Sequence, residues 1–175
     1  MCRQLLTLKK YHLIESLDFQ LKPSPKPVFP VPAKWDGLQL LWSSVGYSTN
    51  YPPLQILAFY NAIANNGYWI QPIIVSKATR GDEVVTDYTL SQVRDSKPLC
   101  SPETLQKLKI MLEGVVTKGT ANNIKGSVYG IAGKTGTAQR TVAGVKGYTK
   151  GVYYTTFVGY FPVKKPKYTI LVAVD

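Results

Sequence analysis

Lys134, Thr135, Gly136 and Thr137 stand together in the segment Ala132-Gly133-Lys134-Thr135-Gly136-Thr137-Ala138. Lys134 brings a positive charge and the two threonines bring hydroxyls, a set that can hold a carboxylate. Gly136 removes a side chain from a strand, so another backbone can approach it closely. The backbone N–H of Thr137 can point at a developing oxyanion. If the strand is a sheet edge, an extended peptide can add to it as one more strand. Lys-Thr-Gly alone is a weak motif, because three residues recur by chance and describe an ordinary strand lysine beside a turn equally well.

Other residues with chemistry give less. His12 has no second histidine and no acid cluster near it in sequence, so a zinc site is not expected and His12 reads as structural. Cys2 and Cys100 make neither a metal set nor a disulfide framework. A bridge between them is one option, and two unpaired thiols are the default. Arg140 follows the motif, where it either strengthens a positive field or is a plain exposed arginine. No metal and no cofactor are expected.

The chain that must position these residues has 175 of them, 45% hydrophobic, with 21 basic and 10 acidic side chains and a net charge of +11. That composition fits a folded chain of about one domain. The positive surplus attracts anions. It is spread along the chain with only short clusters such as Lys9-Lys10 and Lys164-Lys165-Pro166-Lys167, and no basic stripe is interleaved with exposed aromatics, so nucleic acid is not expected as a partner. No apolar run reaches the roughly 18 residues of a membrane span. No signal peptide pattern opens the sequence, and nothing repeats at a fixed period.

A helical period starts the chain, with Leu5, Leu8 and His12 on one face and Ile14 and Leu17 following. Residues 22–36, with prolines 23, 25, 27, 30 and 32, predict an extended loop, since each proline lacks an N–H and restrains the residue before it. Trp42 to Gly46 leads toward a helix over 53–66 that is apolar nearly all round, hence buried, stopped by Asn65-Asn66-Gly67. Residues 68–100 read as short strands (Trp69-Ile70, Ile73-Ile74-Val75, Val84-Val85) with a turn at Arg80-Gly81-Asp82. Ser101-Pro102-Glu103 starts a surface helix over 101–116, with an apolar stripe of Leu105, Leu108, Met111, Leu112 and Val115. Residues 131–174 supply three strands: Ile131–Gln139, Val152–Phe161 and Tyr168–Val174. The last is apolar on both faces and reads as a central strand covered on both. Short connections favour antiparallel pairing. The expectation is an α+β fold, an antiparallel sheet packed with helices.

With that context the sequence resembles the C-terminal part of the transpeptidase domain of class B, division-type penicillin-binding proteins, closest to versions from Bacteroides-like bacteria. Lys134-Thr135-Gly136 matches the third signature of that family, beside Ser-x-x-Lys and Ser-x-Asn. Trp42-Ser43-Ser44-Val45-Gly46-Tyr47, Pro53-Leu54-Gln55 and Asn61 to Gly67 are similar to its buried helix after the active-site loops. Met111 to Val116 with Gly119-Thr120-Ala121 is similar to the helix and loop before the Lys-Thr-Gly strand, and Phe157 to Pro162 to the strand after it. The resemblance implies a partial penicillin-binding-protein/serine β-lactamase-like fold across 1–175. It implies acyl transfer on D-Ala-D-Ala stem peptides of peptidoglycan by a serine that β-lactams also acylate, with divisome partners and a parent at the periplasmic face of the inner membrane. It assigns Lys134 to the proton network and the substrate carboxylate, Thr135, Gly136 and Thr137 to substrate binding, and the Thr137 N–H to the oxyanion hole.

No Ser-x-x-Lys occurs in the 175 residues, so no nucleophile is expected in this chain, and a fragment without activity of its own is the expectation. Ser48-Thr49-Asn50 spells Ser-x-Asn but falls after the position where the family carries it, and it reads as a turn. The family's last, sheet-covering helix is also not expected within the chain. A β-lactamase or penicillin-sensing domain is the alternative within the fold, against which the blocks around Gly46 and Gly159 speak. A basic nucleic-acid module is the alternative outside it.

Overall fold

The computed structural model describes residues 3–17, 19–30, 37–90, 92–141, 144 and 147–175. Cys2 and the 31–36 end of the proline-rich loop lie outside them. The chain forms two compact units, one of residues 1–62 and 68–99, the other of residues 63–67 and 100–175.

In the first unit α1 (Arg3–Lys10) is shorter than the sequence period suggests. His12 takes the left-handed conformation (φ 56°). His12 N–H then bonds to Lys9 O at 3.0 Å and Leu13 N–H to Leu8 O at 2.9 Å, the paired closure that ends a helix. Leu13 and Leu17 are still buried, but from a loop rather than a helix face. Two short features follow, a bridge between Val28 and Asn50 and a helix α2 (Gln39–Ser44). The sequence reading had this second segment only leading into a helix.

α3 (Pro53–Ala64) starts with its proline, where a missing N–H costs nothing. It has no polar face, and Ala58 and Ala62 are buried. Leu17, Ala62, Trp69 and Leu99 form the core of the unit, with Tyr11, Leu54 and Phe59 packed against them. The His12 ring stacks on Trp69 at 4.0 Å and its Nε2 sits 3.0 Å from the Asp95 carboxylate. β1 (Lys77–Arg80) and β2 (Glu83–Asp87) make a hairpin around Gly81. Ile73-Ile74-Val75, read from sequence as a strand, is irregular instead. The Gln20 carboxamide supplies the partners a strand neighbour would have given, its Oε1 accepting from the N–H groups of Ile74 and Val75 at 2.8 and 2.9 Å.

In the second unit α4 (Pro102–Thr117) begins as its sequence dictates. Ser101 Oγ accepts from Thr104 N–H at 3.2 Å, Pro102 fills the first turn, and Glu103 pairs with Lys107 one turn on at 2.6 Å. Its buried stripe is Leu105, Leu112 and Val116. Met111, expected in the stripe, is 61% exposed. Val116 replaces it because the 105–112–116 spacing keeps to one face, and position 111 rotates off it. A 3₁₀ turn (Asn122–Ile124) then leads to the sheet.

Among the described residues the sheet has three antiparallel strands, β3 (Ala132–Gln139), β4 (Tyr153–Phe161) and β5 (Tyr168–Val174), in the order β3-β4-β5. Register puts Ala132 opposite Tyr160 and Lys134 opposite Val158. One face therefore carries Ala132, Val158 and Tyr160, all buried, and α4 packs on β3. The expectation for the last strand is corrected here. Among the described residues β4 is the central strand and β5 an edge, and Ile170, Val172 and Val174 are 42, 47 and 59% exposed. An apolar strand needs a layer on each face to be buried, and no described element lies over these three side chains.

Candidate active site

β3 has a neighbour on one side only, so among the described residues its other side is an open edge. Its register with β4 is unbroken from Ala132 to Gln139. Arg140, next in register, gives its N–H to Val152 O at 3.1 Å. In an antiparallel ladder the hydrogen-bonded and unbonded pairs alternate. Counting back from Arg140, the even residues of β3 direct their backbone groups to β4, while Gly133, Thr135 and Thr137 direct theirs to the open edge. The Thr137 N–H and the Thr135 carbonyl are thus edge groups. The side-chain alternation is the other half of the geometry. Lys134 and Gly136 belong to the face that carries Ala132, and Thr135 and Thr137 to the opposite one. The open edge, not a shared face, is what brings the four residues together.

The Lys134 ammonium turns to that edge and donates to the Thr135 carbonyl at 2.6 Å. Lys134 is exposed, and no acidic side chain among the described residues pairs with it. Its charge remains for an anion arriving at the edge. At Gly136 the reason for glycine is physical. A Cβ there would lie 2.5 Å from Thr156 Oγ1, the hydroxyl of the residue opposite. Any side chain at 136 has to push Thr156 aside or lift β3 from β4.

Thr135 is held by a residue the sequence reading did not assign. Its Oγ1 lies 2.7 Å from Thr120 Oγ1. Thr120 sits in the loop after α4, which folds back so that Ala121 N–H bonds to Val115 O at 3.1 Å. The return is tight enough that a Cβ on Gly119 would lie 2.9 Å from the Val115 backbone. Glycine followed by threonine at the end of a helix was the available signal.

Around these residues the roles are structural. Tyr160, opposite Ala132, is fully buried. Burial, with a smaller contribution from the Glu113 charge, pushes its phenol up to about 12. Arg140 is engaged in an ion pair with Asp175. In the other unit the Ser48 hydroxyl shares a hydrogen bond with Ser43 at 2.8 Å, and Thr49 Oγ1 donates to Gly46 O at 3.2 Å, closing the turn after α2. A cleft of about 340 Å³ there is lined by Phe19, Gln20, Gln71, Tyr88 and Gln92 among others. Gln92 spends an amide group on its own wall, at Gln71 O, and Gln20 donates to Val75 O. Cys100 is a free, half-buried thiol. Among the described residues no cluster of histidines, cysteines or carboxylates could hold a metal ion, and no helix is long and apolar enough to cross a membrane.

A family model for the penicillin binding protein transpeptidase domain matches residues 9–175. The penicillin-binding protein PbpB of Mycolicibacterium smegmatis is 29% identical over 175 residues, covering 96% of this chain and 26% of that protein. Penicillin-binding protein H of Bacillus subtilis is 32% identical over 139 residues, 75% of this chain and 19% of its own length. A peptidoglycan D,D-transpeptidase FtsI homolog of Mesostigma viride is 30% identical over 143 residues, 76% of this chain and 24% of its own length. The chain thus spans about a quarter or less of the curated relatives it matches. Among solved structures, penicillin binding protein 3 of Mycobacterium tuberculosis superposes with a TM-score of 0.79 at 27% identity, over 99% of this chain and 40% of that one. The same protein has been solved with aztreonam and with ampicillin.

Proposed function

The chain belongs to the penicillin-binding protein transpeptidase family, and from that premise we propose that it is the C-terminal part of the catalytic domain of a peptidoglycan D,D-transpeptidase. β3 is the wall of the substrate groove. A stem peptide ending in D-Ala-D-Ala lies along the open edge as an added strand. Its terminal carboxylate is drawn by Lys134 and held by the hydroxyls of Thr135 and Thr137. Gly136 lets β3 lie close against Thr156 of β4, which holds that edge in place. The Thr137 N–H faces the carbonyl oxygen that becomes negative.

The reaction itself is an acyl transfer in two balanced steps. A serine hydroxyl adds to the penultimate carbonyl, its proton passes to the departing amine, and the terminal D-Ala leaves. The ester is then attacked by the amine of a neighbouring stem peptide, which forms the new amide and gives up one of its own N–H protons to the departing serine oxygen. The serine and its lysine are not among these 175 residues, and the reading assigns them to sequence outside them. Lys134 contributes charge and proton management at the edge, and the Thr137 N–H stabilises both tetrahedral intermediates. β-Lactams, which the Mycobacterium tuberculosis neighbour binds as aztreonam and ampicillin, are taken as mimics of the same peptide end. A periplasmic setting, a division role and divisome partners complete the proposal, as the resemblance of the sequence to division-type penicillin-binding proteins implies.

The single observation that carries the proposal is the edge position of the Lys-Thr-Gly strand, with the backbone of Thr135 and Thr137 turned outward. The test is labelling with a fluorescent penicillin. It is applied to this chain and to a version extended at its N-terminal side through a Ser-x-x-Lys segment. Labelling of the extended version alone is the expected result. Labelling of this chain at Ser48 overturns the assignment of that serine to a turn, and labelling of neither overturns the transpeptidase reading.

A further inference from the structure

We propose that Thr120 is a positioning residue for this site, one that orients the Thr135 hydroxyl as a donor toward the substrate carboxylate. The inference rests on the transpeptidase reading above and deepens it.

A threonine hydroxyl carries one proton and two lone pairs. The Thr120 and Thr135 oxygens lie 2.7 Å apart, so one donates to the other. If Thr135 donates to Thr120, its proton is spent and it meets an arriving carboxylate with lone pairs only. A carboxylate is acceptor-only, so that arrangement repels it. If Thr120 donates to Thr135, the Thr135 proton is free for the ligand, and accepting one bond strengthens the next one given. Carboxylate binding therefore selects the relay Thr120 to Thr135 to carboxylate. Thr120 also limits the rotation of the Thr135 side chain, which is half-exposed and has no other described side-chain hydrogen bond.

The loop is built to deliver this. Gly119 lies against the Val115 backbone, closer than any Cβ allows. The Ala121 N–H is fixed on Val115 O at 3.1 Å and Ala121 is 3% exposed. Thr120 is flanked on both sides by residues with little freedom, and its hydroxyl is set from α4 rather than from the strand it serves.

The experiment uses the version extended through Ser-x-x-Lys and measures its acylation rate by a penicillin and by the ester of that penicillin's carboxylate. Thr120→Val is expected to slow acylation by the acid roughly fivefold, about the effect of one misdirected hydrogen bond, and to leave the ester rate unchanged. Thr120→Ser is expected to restore the acid rate. Because both residues act through one contact, Thr120→Val is expected to add nothing on top of Thr135→Val. An equal fall for acid and ester means a merely structural role and overturns the proposal, as does an unchanged acid rate or full additivity with Thr135→Val. Absence of acylation in the unmutated protein overturns the transpeptidase reading itself, and this inference with it.

Discussion

Replacing Gln55 tests how the first unit is held together. Gln55 is 1% exposed inside a largely apolar helix. Its Nε2 donates to the Glu15 carbonyl at 2.7 Å and to the His12 carbonyl. Both belong to the loop after α1, where His12 has left the helix, so neither carbonyl serves a continuing helix. Gln55→Leu keeps the volume and removes both donors. Each orphaned carbonyl costs about 1–3 kcal/mol. Deleting Oε1, which has no protein partner among the described residues, returns about 1 kcal/mol. With about 1.5–2 kcal/mol taken for each carbonyl, the expected net loss is about 2–3 kcal/mol. Gln55→Glu is expected to be worse at neutral pH, because a buried carboxylate would face two carbonyl oxygens with nothing to donate. In acid the protonated carboxyl regains one donor, so the gap between the two variants closes. The assay is urea denaturation followed by Trp69 fluorescence, since that ring stacks on His12 at 4.0 Å and reports this junction. With a slope of about 2 kcal/mol per molar, the Leu variant shifts the midpoint by about 1 M. A shift under about 0.3 M for Leu, or a Glu variant that matches Leu at both pH values, refutes the reasoning.

Three further outcomes are expected. Tyr160 keeps its proton to about pH 12 in the folded chain against 10 in the unfolded one. Between those values only the unfolded state ionises, so stability present below pH 10 is lost as pH rises, by on the order of 2–3 kcal/mol. Tyr160→Phe is expected to flatten that part of the alkaline stability profile. Gly119→Ala would put a methyl group 2.9 Å from the Val115 backbone. It is expected to cost about 1–3 kcal/mol in thermal unfolding and to displace Thr120 from Thr135, seen as an altered Thr120 methyl shift in NMR. Val172→Lys, at a position 47% exposed on β5, is expected to change the stability of this chain by no more than about 0.5 kcal/mol. A loss of 2 kcal/mol or more would mean that a covering layer lies over that face.

What the sequence disclosed about the fold follows from which signals are local. The start of α4 is written in Ser101 and Pro102, whose cap and fixed φ act within one turn. The strand sequence around Lys134 is punctuated by Gly133 and Gly136, and its antiparallel partner is the next strand along the chain. The misread elements depend on distant residues. The period reaches the buried Leu17, but His12 breaks the helix, and Gln55, forty residues away from Glu15, takes the freed carbonyl. Ile73 to Val75 has strand composition, yet Gln20, more than fifty residues upstream, occupies its N–H groups. In both places one carboxamide does the work of a secondary-structure neighbour, and no window of ten residues contains that information.

The candidate site divides in the same way. Residue types at 134–137 are local, and they name the chemistry. The face each side chain belongs to is also local, since a strand alternates. What is not local is the parity of the ladder, which decides whether the Thr137 N–H points into the sheet or out of it. That parity comes from Arg140 bonding to Val152 across the sheet. Had the register been shifted by one residue, Lys134 and Gly136 would expose their backbones and Thr137 would not, with the same sequence and no outward N–H at Thr137. Gly119-Thr120 marks a tight helix end in the sequence, but what the Thr120 hydroxyl meets is not local either. Its partner is fifteen residues on, and only the fold of α4 against β3 brings the hydroxyls within 2.7 Å. The chemistry of this edge is therefore set by four adjacent residues, but its orientation is set by the packing behind them.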